Sequence, residues 1–198
     1  MPAKQKLYVF DVDGTITKND SFLLLIKFVC PGILNRSVLW MKCLLLLPKV
    51  ILKKDISVIK YHILKLLFKG VSRSDLNKTG DMFYKKVLGE NVLPKAATYI
   101  AELRKEEVKI VFLSASCEFW LKPLAADYGA SLICSRLEFY NDNFTGTVLG
   151  ENCKGEEKRR RLTAVFPADK YEFICFGNSE SDRKLAPISE AYYHNHFA

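Results

Sequence analysis

Five polar residues at three separated points of the chain have the types and spacing to do chemistry together: Asp11 and Asp13 in FDVDGT, Ser114 in VFLSAS, and Asn178 and Asp182 in FGNSESD. Two carboxylates two residues apart, followed by a glycine that permits close backbone approach, can bind a hard divalent cation and still offer one oxygen as a nucleophile. By itself DVDGT is also an ordinary strand-to-turn sequence, so the weight falls on the downstream groups. Ser114 closes an apolar run at a point where its hydroxyl and the N–H groups of a following helix N-terminus would grip phosphate oxygens. A simple helix N-cap is the competing reading. Lys154 and Lys158, in NCKGEEK, lie four apart on one face of an expected helix. Either ammonium would neutralise a phosphoryl group, and both also fit a solvated surface among glutamates. Asn178 and Asp182 set an amide and a carboxylate around a loop, a combination suited to completing a magnesium shell.

These groups need a scaffold that brings them together. Residues 7–12 form an apolar run ending in the carboxylates, the pattern of a buried strand. Residues 108–113 and 171–176 repeat it, ending in Ser114 and in Gly177 and Asn178, while 132–134 reads as a short strand and 191–193 as a fifth. Helices are expected from Asp20 to about Leu88, with turn signals at Pro31, Pro48, Gly70 and Gly89, and again over 95–106, 118–128, 154–166 and 180–185. Residues 136–149, centred on Asn141, Asp142 and Asn143, read as a β-hairpin. Strands separated by helices imply an α/β fold with a doubly wound parallel sheet, whose ligands bind at the carboxyl ends of the strands. Asp11, Asp13, Ser114, Asn178 and Asp182 all fall at or just beyond such ends.

With 198 residues, 49% of them hydrophobic and 26% charged, the chain has the composition of a folded domain with a sizeable insertion, which excludes disorder and low-complexity repeats. Its six cysteines are scattered without a CxxC pair, arguing against a disulfide framework or zinc knuckle and for a reducing compartment. The apolar stretch at residues 7–10 is too short for a signal peptide, so a cytoplasmic protein is expected. The net charge of +8 is concentrated: residues 17–95 carry 15 Lys/Arg against 5 Asp/Glu, the remainder 15 against 17. That segment is also leucine-rich and reads as amphipathic helices. Its most apolar part, 38–54, is interrupted by Lys42, Pro48 and Lys49, short of the ~20 residues that span a bilayer, and reads as an interfacial or cap helix. No interleaving of basic and aromatic residues points to nucleic acid.

Taken in order, DVDGT, Ser114, the lysine of KGEEK and GNSESD resemble the four motifs of the haloacid dehalogenase-like (HAD) phosphohydrolases over nearly the whole chain. The helical insertion after the first motif and the hairpin leading to CKGEEK (Cys153 to Lys158) resemble subfamily IB, typified by phosphoserine phosphatase. The resemblance implies a Rossmann-like core over 1–16 and 92–198 and an α-helical cap over 17–91. It implies a Mg²⁺-dependent phosphomonoester hydrolase in which Asp11 forms an aspartyl-phosphate. Asp13 would protonate the leaving oxygen and then deprotonate the attacking water. Asp11, the Asp13 carbonyl, Asn178 and Asp182 would hold Mg²⁺, while Ser114 and a lysine hold phosphoryl oxygens. Phosphoserine phosphatases place that lysine just before the glycine, as Lys154 stands; other members place it three after, as Lys158 stands, and Lys158 is slightly favoured. The family usually has Asp where this chain has Asn178, a weaker ligand carrying one charge fewer. The implied substrate is a small phosphomonoester such as phosphoserine. The basic, leucine-rich cap also keeps open a phosphatidylglycerophosphatase-like enzyme acting on lipid phosphate at an anionic membrane's inner face. A non-catalytic binding module on the same fold is the third reading, and the oligomeric state stays open.

Overall fold

The computed structural model describes residues 4–32, 37 and 57–198. Strand β1 (Gln5–Phe10) occupies the middle of a six-stranded sheet ordered β4-β3-β2-β1-β5-β6. Its side chains alternate between faces with the period of a strand: Leu7 and Val9 join Val111, Leu113, Phe173 and Cys175 on one side, and Phe10 joins Phe112 and Phe176 on the other. Both faces are thus covered, which is why the run is continuously apolar. β1 pairs in parallel with β2 (Lys109–Cys117) through Phe10 and Phe112, and with β5 (Tyr171–Gly177) through Phe10 and Phe176. The rings of Phe10 and Phe176 stack at 4.6 Å. Because β1 has β2 on one side and β5 on the other, the winding reverses there, and the crevice of such a fold opens beyond its carboxyl end.

The expected doubly wound α/β sheet is present, with local corrections. β3 (Ser131–Tyr140) is one long strand: its first half runs parallel to β2, and its second half runs antiparallel to β4 (Asn143–Leu149), absorbing an arm of the expected hairpin. Asn141 and Asp142 turn the hairpin with positive φ of 46° and 63°, as a two-residue turn matched to strand twist requires. β2 continues past Ser114 to Cys117, with a register shift between them. Ser114 is therefore a strand residue, neither an N-cap nor at a helix N-terminus. The helix after Gly155 begins at Glu156, so Lys154 and Lys158 do not share a helix face. The expected helix over 180–185 is a 3-10 segment, Asp182–Ile188, leading to the edge strand β6 (Ser189–His194).

Between β1 and β2 lie the helices α1 (Ser21–Val29), α2 (Ser57–Phe68), α3 (Arg73–Phe83), which runs on into a π-helical turn at Tyr84–Leu88, and α4 (Pro94–Lys105). Asp20 caps α1 by accepting from the Leu23 N–H at 2.9 Å. The chain leaves and re-enters the core side by side: the Lys18 N–H donates to Asn91 O, and the Leu93 N–H to Ile16 O, both at 2.8 Å. Ile63, Leu64, Phe68, Leu76 and Phe83 are buried in the same cluster as Trp120 and Phe10. α3 lies tightly against α5 (Glu118–Asp127): a Cβ on Gly80 would stand 1.8 Å from the Phe119 carbonyl oxygen. α6 (Glu156–Val165) covers the other face, through Leu162. The interfacial helix expected over 38–54, with Lys49 and its neighbours Lys53 and Lys54, lies outside the described residues. Among the described residues no helix is long and apolar enough to cross a membrane.

Candidate active site

Asp11 is the first residue past β1, and its N–H still bonds Phe176 O at 2.9 Å, so the ladder with β5 fixes its backbone. The residue is 7% exposed. One carboxylate oxygen meets Lys158 Nζ at 2.5 Å and the other accepts from the Thr15 hydroxyl at 3.0 Å. Lys158 projects from the first turn of α6, and the same ammonium meets Asp182 Oδ1 at 2.6 Å. The second Asp182 oxygen takes the Ser179 N–H and hydroxyl at 3.0 and 2.6 Å and the Asn178 N–H at 3.3 Å. One lysine thus bridges two buried carboxylates.

The electrostatics follow from this arrangement. The Asp11 carboxyl stands raised to about 6, mainly by burial: Lys158 opposes the rise, and the charges of Asp182 and Asp13 add to it. Burial also opposes ionisation of Asp182, yet Lys158 and the Ser179 donors hold it below the ordinary carboxylate value. Asp182 has more donors than Asp11, which accounts for the opposite directions of the two carboxylates. Burial works against the Lys158 ammonium, but its two carboxylate partners hold its pKa above the ordinary lysine value.

Asp13 faces the same crevice. Its Oδ1 accepts from the Ser21 N–H, at the start of α1, at 2.7 Å, an end of the helix that favours negative charge. Its Oδ2 accepts from the Ser116 hydroxyl at 2.6 Å and, more loosely, from the Ser114 hydroxyl at 3.4 Å. Lys60, on α2, donates to Ala115 O at 3.1 Å and to the Ser116 hydroxyl at 3.2 Å.

The structure thus brings together Asp11, Asp13, Ser114, Lys158 and Asp182 and leaves Lys154 outside. Lys154 is exposed, on an open cleft of about 730 Å³ that Tyr61, Asn152, Ser181 and Lys184 also line. Thr15, Ser116 and Lys60 were not singled out from the sequence. Two of them were within reach of it: Thr15 ends the DVDGT run, and Ser116 shares a strand face with Ser114 once β2 is extended by the two-residue period. Lys60 is one of many lysines in the insertion, and only the packing of α2 distinguishes it.

Asn178 lies against the turn that follows Asp13. A Cβ on Gly14, whose φ is +78°, would stand 2.2 Å from the Asn178 amide nitrogen, so glycine is needed both for the turn and for this approach. Among the described residues no three His, Cys, Asp or Glu side chains are grouped closely enough to hold a metal ion by themselves. A cation here would draw on the Asn178 amide and a backbone carbonyl beside Asp11, an all-oxygen set that suits a hard divalent ion. Three carboxylates share the crevice with one buried ammonium, leaving a negative excess for such an ion to offset.

Residues 8–187 match the haloacid dehalogenase-like hydrolase family. The chain belongs to this family. It is 25% identical over 186 residues to Protein CicA of Caulobacter vibrioides, covering 93% of this chain and 83% of the relative. Among solved structures, a protein of unknown function from Bordetella pertussis Tohama I superposes with a TM-score of 0.80 at 17% identity, over 96% of this chain and 89% of that one. A phospho-aspartyl intermediate analogue of phosphoserine phosphatase superposes with a TM-score of 0.65 at 15% identity, over 96% and 86%.

Proposed function

We propose that the protein is a Mg²⁺-dependent phosphomonoesterase acting through a phosphorylated Asp11. The observation that carries this reading is the buried Asp11 carboxylate at the end of the central strand, ion-paired to Lys158 and two residues from an Asp13 held by Ser116 and Ser114. Asp11 attacks phosphorus, an O–P bond forms to its carboxylate, and the bond to the ester oxygen breaks as Asp13 delivers a proton to that oxygen. Water then attacks the phosphorus of the aspartyl-phosphate, Asp13 takes its proton, and free phosphate leaves with Asp11 restored. Lys158 and the Ser114 hydroxyl neutralise and orient the phosphoryl oxygens throughout. Asp11, the Asp13 carbonyl and the Asn178 amide would hold Mg²⁺, with Asp182 fixing Lys158 and the Asn178 loop beside it. When bound, the ion offsets the repulsion between carboxylate and phosphate dianion.

The substrate class proposed is a small phosphomonoester. The leaving group would extend toward the cleft between α2 and the loops around Asn152 and Ser181, where Tyr61 and Lys184 stand. Residues 17–91 would act as a cap over the site: their two ends are hydrogen-bonded to each other at the core, and α2 touches β2 at Ala115 through Lys60. Release of p-nitrophenol from p-nitrophenyl phosphate, with Mg²⁺ and after chelation, tests the reading; activity with Mg²⁺ that disappears on chelation is expected, and no activity in either condition would contradict it.

Asp13→Asn is expected to lower kcat by about 10² to 10⁴, the usual contribution of general acid–base catalysis. A rise in KM with kcat unchanged would contradict that role. Asn178→Asp adds a charge to the cation's donor set and is expected to tighten Mg²⁺ binding by about tenfold in calorimetric titration. The same variant should melt at a lower temperature without metal, because the new carboxylate faces Asp11 and Asp13 unneutralised. Unchanged metal affinity would remove Asn178 from the metal shell.

A further inference from the structure

Donor-only groups fix the direction of two hydroxyls beside Asp13, those of Ser21 and Ser116. The Trp120 indole N–H, which can only donate, gives its proton to the Ser21 hydroxyl at 2.9 Å. Ser21 must then point its own proton away, and it donates to the Ser116 hydroxyl at 3.3 Å. The Lys60 ammonium, also donor-only, gives a second hydrogen bond to Ser116 at 3.2 Å. With both of its lone pairs engaged, Ser116 has one option for its proton, the Asp13 carboxylate at 2.6 Å. Ser116 is fully buried, and Lys60 itself lies over the rings of Phe22 and Trp120, 5.4 and 5.6 Å from their centroids. The chain of donors therefore starts on two anchored groups and ends on Asp13.

We infer that Ser116, polarised by Lys60, is the positioning residue that aligns Asp13 for proton transfer to the leaving oxygen. This deepens the phosphatase reading above and rests on it. A cation donating to a hydroxyl strengthens the hydrogen bond which that hydroxyl makes in turn, consistent with the short Ser116 contact. The division of labour also frees Ser114: its hydroxyl accepts the Ser116 N–H at 3.0 Å and reaches Asp13 only loosely, so its proton is available to a phosphoryl oxygen. Lys60 comes from the insertion, and the alignment of Asp13 thereby depends on α2 being seated against the core.

A pair of esters differing only in leaving group separates this role from a structural one. Phenyl phosphate needs a proton on its departing oxygen, whereas p-nitrophenyl phosphate departs largely without help, and kcat/KM reports the steps through that departure. In Ser116→Ala, kcat/KM should fall at least about tenfold further on phenyl phosphate than on p-nitrophenyl phosphate. Lys60→Met should show the same selective loss to a smaller degree, and Lys60→Arg, which keeps charged donors, should restore most of it. In Ser116→Ala, Asp13 keeps the Ser21 N–H and Lys60 keeps Ala115 O; in Lys60→Met, Ala115 O keeps the Ser135 hydroxyl at 3.1 Å. Equal losses on the two esters, or no loss on either, would overturn the inference while the phosphatase reading stands. A parent protein that hydrolyses neither ester with Mg²⁺ would overturn that reading, and this inference with it.

Discussion

Asp11→Asn is expected to remove phosphatase turnover, by about 10⁴-fold or more, while the protein stays folded. The amide cannot attack phosphorus, and in the proposed reaction no neighbouring group replaces it: Asp13 is held by three donors, and Asp182 has both oxygens engaged. The fold should survive because the Lys158 ammonium keeps its 2.6 Å partner, Asp182. The substitution also removes a carboxylate that is costly to ionise, since Asp11 stands raised to about 6, mainly by burial. Near-parental melting together with loss of activity is therefore expected. Phosphate release at the parental rate would exclude Asp11 as nucleophile.

Lys158→Met has the largest expected effect on stability. It leaves Asp11 and Asp182, 7% and 1% exposed, facing each other without their shared cation, and removing one partner of a buried ion pair costs roughly 3–5 kcal/mol. The loss should depend on pH. A carboxyl whose folded pKa lies above its unfolded value takes up a proton on folding, so its destabilisation sets in as pH rises from the unfolded toward the folded pKa. Burial already raises Asp11, and losing Lys158 removes the interaction that pulls it back. In denaturant titrations of metal-free protein the variant should therefore lie nearer the parent at about pH 4, close to the unfolded value of an aspartate, than at neutral pH. A pH-independent deficit would mean that packing of the lysine stem, rather than its charge, is what the site needs. Activity should fall as well, because in the proposed mechanism the same ammonium neutralises the phosphoryl group.

The core was legible because its strands are buried on both faces: the runs ending at Asp11, at Ser114 and at Asn178 could be read without knowing their partners. The convergence of these residues on one sheet edge followed from the winding alone. Where each strand ends was harder to read. β2 passes through SAS to Cys117, since the bulge there lets polar residues stay in the ladder, and this hid the kinship of Ser116 with Ser114. Lys154 and Lys158 were indistinguishable by spacing. What separates them is Gly155, whose φ of +57° precedes the helix and leaves Lys154 outside while Lys158 turns inward to Asp11. Lys60 had no local signal, because its hydrogen bonds go to residues more than fifty positions away.

The most direct test of the account is to quench the reaction with acid during turnover of p-nitrophenyl phosphate and Mg²⁺, and to map the phosphoryl group by peptide mass spectrometry. A phosphorylated peptide containing Asp11, reduced by borohydride to homoserine at that position and absent from Asp11→Asn, is the predicted result. Steady release of phosphate without any phosphorylated peptide, or with the phosphoryl group on a residue other than Asp11, would contradict it.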